Sequence, residues 1–172
     1  QVDPGGSIAV LVRGRNHLAD IIPALKNANI AWQATDIDPL AKTEVIVDLL
    51  SLTKALLNPA DKLAWLALLR APFCGLTLSD LHQLTDYAKH SFASTLLAAS
   101  DEKINSIGLT ADGAQIFQRV IGVLKQSWQL RGRKPLRQWI ESAWHDIGGL
   151  AVLASSEHYQ NALQYFDLLE SL

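Results

Sequence analysis

The sequence predicts a mainly α-helical protein of about seven helices, preceded by a small βαβ unit from a parallel sheet. Two observations predict the helices: apolar residues recur at helical spacing over most of the chain after residue 43, and capping residues precede these runs. The βαβ unit is predicted because the apolar run 8–12, IAVLV, precedes an amphipathic stretch and a second short run at 30–34. The expected domains are residues 1–40, which contain the βαβ unit, and the helical residues 41–172.

The stretch between residues 43 and 84 contains three predicted helices separated by two breaks. Asn58 is expected to cap the second helix, with a proline at the first helical position. Thr77 or Ser79 is expected to cap the third helix. The second break, at 71–75, is therefore a tight turn between buried helices that is placed to meet a ligand.

The other helices are predicted from the same signals. Residues 91–99 form a short apolar helix, and 101–108 form a polar connection. In the βαβ unit, Pro23 is expected to bend the helix or delay its start. The last three helices are expected to begin at capping or helix-starting residues: Thr110, Pro135, and Ser155 or Ser156.

Composition limits the class of protein. The net charge of −2 gives no overall sign of affinity for nucleic acid or membranes, so any basic patch must be local. The single cysteine, Cys74, excludes an intramolecular disulfide framework and suits a reducing cytoplasm, and no apolar run is long enough to span a bilayer. The absence of Met at position 1 suggests a piece of a longer protein.

No catalytic residue set and no metal site can be assembled from the sequence. The five histidines lack metal-ligand spacing, and the acidic triplet at 101–103 lies in a predicted linker. Cys74 is interpreted as a small core residue of the turn. The five tryptophans fall mostly on predicted inner helix faces, which favours core packing over base stacking.

One local charge pattern remains. Between Asp112 and Glu141 every charged residue is basic, and four of these residues cluster where one predicted helix ends and the next begins: Arg131, Arg133, Lys134 and Arg137. These charges have two interpretations. They stabilise a helix C-terminus, or they contact a phosphate backbone.

Three segments of the chain resemble UvrD/Rep-type superfamily 1 DNA helicases. Residues 8–36, IAVLVRGRNHLADIIPALKNANIAWQATD, resemble the strand-helix-strand of the second motor domain. Residues 44–76, EVIVDLLSLTKALLNPADKLAWLALLRAPFCGL, resemble the run that enters the helical (2B-like) subdomain inserted in that domain. Residues 130–153, LRGRKPLRQWIESAWHDIGGLAVL, most resemble the AddA/RecB-like branch, the ATP-dependent exonuclease V beta subunits.

The resemblance implies a parent enzyme that is an ATP-dependent DNA helicase, often fused to a nuclease, acting in double-strand-break repair and recombination. ATP and Mg²⁺ are implied as cofactors of that parent. Because the ATP-binding, magnesium and nuclease motifs have no counterpart in this sequence, the segment itself is expected to be non-catalytic and to need no cofactor. The implied partners are duplex DNA or a duplex/single-strand junction, and a second helicase-nuclease subunit.

The resemblance also implies site residues. In the family, a Gly-hydrophobic-Gly turn at the head of a helix contacts the duplex backbone, and Gly75-Leu76-Thr77 stands in that place, with Thr77 replacing the second glycine. Ser79 and the basic cluster complete the predicted DNA site. Arg13 matches a recurrent family arginine that faces the nucleotide cleft or braces the following helix.

Two other interpretations are open. A helical protein-interaction domain that docks a partner subunit fits the same helix pattern, and a free-standing small enzyme is disfavoured by the missing catalytic set. The βαβ sheet edge is also expected to permit self-association of the isolated chain.

Overall fold

The computed structural model describes residues 8–13, 18–30, 43–89 and 91–171. The chain divides into two compact units, Gln1–Pro39 and Leu40–Leu172. Within the described residues, the first unit contains one α-helix, and the second contains eight α-helices and one short 3-10 helix.

The predicted βαβ unit is wrong in the part of the first unit that the structure describes. Residues 8–13 form no strand, and Ile8 and Leu11 are more than 90% exposed. A strand needs neighbouring strands to satisfy its backbone groups, and this apolar run has no such partner among the described residues. The second predicted strand lies outside the described residues from 31 onward, and Ile30 itself is not in a strand. The sheet edge expected to permit self-association is therefore absent from residues 8–13 and 18–30.

Helix α1, Leu18–Asn27, does form in the first unit, and it continues through Pro23. Leu18, Ile21, Ile22 and Leu25 of this helix are all partly exposed. The predicted helix therefore exists, but the described residues of this unit supply no core for its apolar face.

The second unit is a bundle of short helices arranged around one long helix. Helix α2 packs on α3, α8 and α9, while α7 packs on α5, α6 and α8. The helices are α2 Glu44–Leu57, α3 Lys62–Arg70, α4 Leu78–Tyr87, α5 Phe92–Leu97, α6 Asp101–Asn105, α7 Ala111–Gln129, α8 Leu136–Ile147 and α9 Ser156–Glu170, with a 3-10 helix at Gly149–Val152.

The core is built mostly from the apolar faces that the sequence predicts, but Leu78 of α4 and Tyr159 of α9, which the periodicity places inward, are 73% and 40% exposed. Its largest fully buried side chains include Trp65, Trp144, Phe117 and Phe166, together with leucines from α2, α3 and α4. Trp144 contacts Phe166 with ring centroids 5.5 Å apart, which joins α8 to α9. The prediction that tryptophans serve mainly as core residues holds for Trp65, Trp139 and Trp144.

Two buried polar contacts fix helix pairs within this core. The Tyr165 hydroxyl donates to the Thr53 Oγ1 at 2.8 Å, and the Thr53 hydroxyl donates to the Leu49 carbonyl, so that α9 is tied to α2. The Trp139 indole N–H donates to the Ser127 carbonyl at 2.7 Å, so that α8 is tied to α7. Buried polar groups that are paired in this way avoid the desolvation cost of an unpaired donor.

Two element boundaries differ from the prediction. Helix α3 is capped by Asp61, whose carboxylate accepts from the Ala64 amide at 2.9 Å, because the Asn58 side chain instead closes a local turn onto the Ala60 amide. The predicted polar connection at 101–108 is also wrong in part. It contains α6, whose two first-turn carboxylates suit a helix N-terminus and whose Ile104 is fully buried.

Two glycines permit close approach of neighbouring groups. A Cβ at Gly113 would lie 2.5 Å from the Asp80 carboxyl group, and a Cβ at Gly149 would overlap the Trp144 indole. Gly113 therefore lets the first turn of α7 meet α4, and Gly149 lets the chain after α8 fold back over Trp144.

Gly113→Ala is expected to lower the free energy of unfolding by about 1–3 kcal/mol, because the added methyl group pushes the Asp80 carboxyl group away. Gly122→Ala is the matched control in the same helix, since nothing lies within 4 Å of its Cβ position. That control is expected to stabilise the protein by about 0.5–1 kcal/mol through helix propensity. Urea unfolding of both variants measures the difference, and equal effects would contradict the close approach of α4 and α7.

Candidate nucleic-acid interface

The predicted DNA-contacting turn lies between α3 and α4, and its backbone is closed on itself. The Cys74 and Gly75 amides both donate to the Ala71 carbonyl, at 2.9 and 2.8 Å, and the Leu76 amide donates to the Leu69 carbonyl. Gly75 has a φ of +77°, a left-handed conformation that glycine adopts without strain. The amides of Cys74, Gly75 and Leu76 are therefore used internally, and a phosphate would have to compete for them.

The side chains of the turn divide between core and surface. Leu76 is fully buried and Cys74 is 2% exposed, whereas Gly75, Thr77 and Ser79 are exposed. Burial raises the pKa of the Cys74 thiol to about 12; the Arg119 charge lowers it and the Asp48 charge raises it further. The thiol is thus protonated at neutral pH, which agrees with its interpretation as a core residue and not a nucleophile.

Two arginines that the sequence analysis did not select hold this turn in place. Arg70 Nη1 donates to the Leu76 carbonyl at 2.9 Å, and the Arg70 side chain remains exposed. Arg119 donates to the Phe73 carbonyl at 3.0 Å and to the Ile147 carbonyl at 2.8 Å, which links the turn to the end of α8. The position of Arg70 in the last turn before the break is a sequence signal for the first contact. The partners of Arg119 lie 46 and 28 residues away along the chain, so no local sequence pattern predicts these contacts.

Thr77 begins α4 through a capping box with Asp80. The Asp80 amide donates to Thr77 Oγ1 at 3.1 Å, while the Thr77 amide and hydroxyl donate to the Asp80 carboxylate. The sequence therefore predicts this cap correctly. The Thr77 hydroxyl, which was predicted to meet DNA, already has a donor and an acceptor within the protein.

Asp80 also accepts hydrogen bonds from Thr110, the N-cap residue of α7. The Thr110 amide donates to its Oδ1 at 2.8 Å and the Thr110 hydroxyl donates at 3.0 Å, while Thr110 itself caps α7 by accepting from the Gly113 amide. Burial raises the pKa of Asp80, but the hydrogen bonds from Thr77 and Thr110 outweigh burial and hold the pKa below its ordinary value. One buried carboxylate thus compensates the partial positive charge at the N-termini of both α4 and α7. This reduces the attraction of these N-termini for an external anion.

Ser79 is the predicted residue of this turn that stays most available. It is exposed, and its backbone N–H belongs to the first turn of α4, where no intrahelical acceptor exists. Together with Gly75 and the exposed Arg70, it forms the polar surface of the turn. The structure thus brings Gly75, Thr77 and Ser79 together as predicted, but it buries the side chain of Leu76.

The basic cluster of α7 and α8 separates into engaged and free charges. Arg137 is surrounded by carboxylates: it pairs with Asp167 at 2.8 Å, with Glu141 at 3.6 Å, and with Glu170 through a hydrogen bond. These partners lie on α8 and α9, so that Arg137 joins the two helices. Its charge is neutralised locally, which weakens its predicted contact with phosphate.

Arg131 is engaged differently. Its Nη2 donates to the Leu57 carbonyl at the end of α2, at 2.8 Å, and its Cζ lies 4.9 Å from the centroid of the Trp128 ring. The side chains of Arg133 and Lys134 are exposed and, within the described chain, make no hydrogen bond or ion pair. The loop between α7 and α8 therefore carries two uncommitted cations beside one fixed guanidinium.

Arg13, the predicted nucleotide-cleft residue, belongs to the first unit. It is exposed at the end of the extended residues 8–13. The described residues of that unit show no cleft around it, and residues 14–17, which follow it, lie outside the description.

Other kinds of site receive no support from the described residues. No group of three or more His, Cys, Asp or Glu side chains there is placed to hold a metal ion. Among the described helices, none combines the length and apolar character needed to cross a membrane. A comparison of the sequence with protein-family models and with curated proteins finds no match.

Asp80→Asn is expected to remove the acid sensitivity that this carboxylate confers. Because its folded pKa lies below the ordinary value of 3.8, its ionisation stabilises the protein above that pH, and the stabilisation is lost as the pH falls through the folded pKa. The variant should lose about 1–3 kcal/mol at pH 7, since an amide keeps only one acceptor oxygen. Urea unfolding between pH 2.5 and 7 measures this. Asp86→Asn, at an exposed position on the same helix, is the control and should follow the wild type.

Asp48→Asn is expected to have the opposite effect. Burial, and then repulsion from Glu44, raise the pKa of Asp48 to about 6, so its ionisation disfavours the folded state and stability falls as the pH rises from 3.8 to 6. The variant should exceed the wild type by roughly 1–2 kcal/mol at pH 7, after allowance for solvent screening, and match it near pH 3.5. Glu44→Gln, which removes only the smaller cause, should give a smaller gain. A destabilised Asp48→Asn protein at pH 7 would contradict this assignment.

Proposed function

We propose that the helical unit is a non-catalytic, DNA-contacting module of an ATP-dependent DNA helicase/exonuclease subunit that acts in double-strand-break repair and recombination. The resemblance of residues 44–76 to UvrD/Rep-type helicases and of residues 130–153 to their AddA/RecB-like branch supports the proposal. In this proposal ATP and Mg²⁺ serve other parts of the parent enzyme, and the cytoplasm is its location. The partner is duplex DNA or a duplex/single-strand junction.

The observation that carries the DNA contact is the pair of uncommitted cations in the α7–α8 loop. Arg133 and Lys134 are exposed, and no carboxylate among the described residues pairs with them. Adjacent cations of this kind bind phosphates by releasing counterions, without regard to base sequence. Binding is therefore expected to be weak, sequence-independent and sensitive to salt.

The turn between α3 and α4 supplies a second contact in this proposal. Arg70, Gly75 and Ser79 are exposed there, and the Arg70 guanidinium retains N–H groups beyond the one bonded to the Leu76 carbonyl. The negative charge of the Asp80 carboxylate beneath the turn repels a phosphate group. The positive charge of Arg70 offsets this repulsion. This refines the family-based site by adding an arginine and by removing the Leu76 side chain.

A second candidate function is docking of a partner subunit. Helix α2 exposes Val47, Leu50 and Leu57, each between 39% and 48% accessible, at positions that share one helix face. An apolar stripe of this kind suits a helix or sheet of the second helicase-nuclease subunit. Retention of that subunit by the wild type but not by Leu50→Glu, with no response to DNA, would favour docking over DNA contact.

The double variant Arg133→Gln/Lys134→Gln is expected to weaken duplex binding equally for unrelated DNA sequences. The logarithmic dependence of affinity on salt should become shallower by about 2, one for each lost phosphate contact. Fluorescence anisotropy with a labelled duplex, at several salt concentrations, measures both effects.

Lys89→Gln/Lys103→Gln is the matched control, because it removes two exposed positive charges outside the α7–α8 loop. It should leave the salt dependence close to that of the wild type. Absence of duplex binding by the wild type at low salt would remove the proposed DNA role. Equal losses in both double variants would show a nonspecific effect of net charge.

A further inference from the structure

An aromatic ring at the end of α7 and a guanidinium group in the α7–α8 loop lie against each other. Arg131 Cζ lies 4.9 Å from the centroid of the Trp128 ring, and Arg131 Nη2 is bonded to the Leu57 carbonyl at 2.8 Å. The guanidinium thus lies over the indole ring and is held along one edge by the end of α2. Its orientation is set before any ligand arrives, which lowers the entropy cost of using it.

The Arg131 guanidinium group is also accessible. Arg131 is exposed, while Trp128 is only partly accessible. Gly132, the next residue, has a φ of +72°, and nothing lies within 4 Å of its Cβ position. Arg131 is therefore a planar cation that a ligand can reach.

An exposed planar cation suits an unstacked nucleobase. Arginine planes stack on bases through π and cation–π attraction, and bases in single strands offer their faces, whereas bases inside a duplex are stacked on one another. Arg133 and Lys134 follow within three residues and are uncommitted, so they can hold the phosphates next to a base stacked on Arg131.

We propose that the Trp128–Arg131 pair is a stacking platform for one base of single-stranded DNA, with Arg133 and Lys134 on the neighbouring phosphates. The inference rests on the proposed DNA contact and deepens it, because it assigns the loop to the single-stranded side of a junction. The platform adds a base-dependent term to binding that phosphate contacts alone do not provide. In this proposal Trp128, which also packs against the core, is the tryptophan that takes part in base stacking.

The test compares three labelled ligands on the full 172-residue chain: a twelve-nucleotide thymidine strand, an abasic strand with the same number of phosphates, and a twelve-base-pair duplex. The wild type is expected to bind the thymidine strand roughly tenfold more tightly than the abasic strand at the same salt concentration. Anisotropy titrations give the three affinities.

Two variants separate stacking from charge. Arg131→Lys keeps the charge but lacks the plane, so it should bring the thymidine strand down to the abasic strand while leaving abasic binding nearly unchanged. Trp128→Leu removes the supporting ring and should reduce the same ratio. Arg133→Gln/Lys134→Gln should weaken both strands alike. A merely structural role of Arg131 would alter the unfolding midpoint without altering the ratio of the two affinities.

Each outcome decides between the two proposals. Equal binding of thymidine and abasic strands by the wild type overturns the platform, and duplex binding in the same experiment leaves the proposed function intact. A thymidine preference that survives in both Arg131→Lys and Trp128→Leu also overturns it. If none of the three ligands binds at low salt, the proposed DNA function and the platform both fail.

Discussion

Two helix N-termini meet at the Asp80 carboxylate, and the geometry of the helical unit depends on that meeting. Thr77 and Thr110 both donate to it from the caps of α4 and α7, and Gly113 leaves the room that the carboxylate occupies. With α7 set against α4 in this way, Arg119 of α7 reaches the carbonyl of Phe73 in the turn before α4. The same long helix carries the candidate DNA loop at its other end, so one buried anion orients both surfaces.

Two basic residues of α7 and one in the loop after it donate hydrogen bonds to carbonyls at or near the ends of other helices. Arg119 donates to the last carbonyl of α8, Lys125 to the Ala99 carbonyl after α5, and Arg131 to the last carbonyl of α2. Carbonyls at helix C-termini lack intrahelical donors and carry partial negative charge, so cations are their natural partners. Part of the positive charge in this stretch is thus used inside the fold, because these three side chains bond to carbonyls and Arg137 pairs with carboxylates. The side chains of Arg133 and Lys134 make no such contact within the described residues.

Local signals predicted local structure well. The caps at Thr77 and Thr110, the helical apolar periodicity and the tight turn all follow from neighbouring residues, and the structure has them. The errors arise where distant partners decide: an apolar run becomes a strand only beside other strands, and Arg137 is neutralised by Asp167 and Glu170, some thirty residues further along the chain. Asn58 and Asp61 are both suitable N-cap residues for α3 and lie within four residues of each other. Asp61, which is charged and closer to the helix, is the one that caps it.

The reactivity of Cys74 can report local opening of the turn between α3 and α4. It is the single thiol of the chain, it is buried in the turn between α3 and α4, and the raised pKa of its thiol makes it unreactive while the turn is closed. A thiol reagent can modify it only after the turn opens, so the labelling rate reports the opening equilibrium of this one segment. Local opening at the α3–α4 junction can thereby be separated from global unfolding without introducing another cysteine.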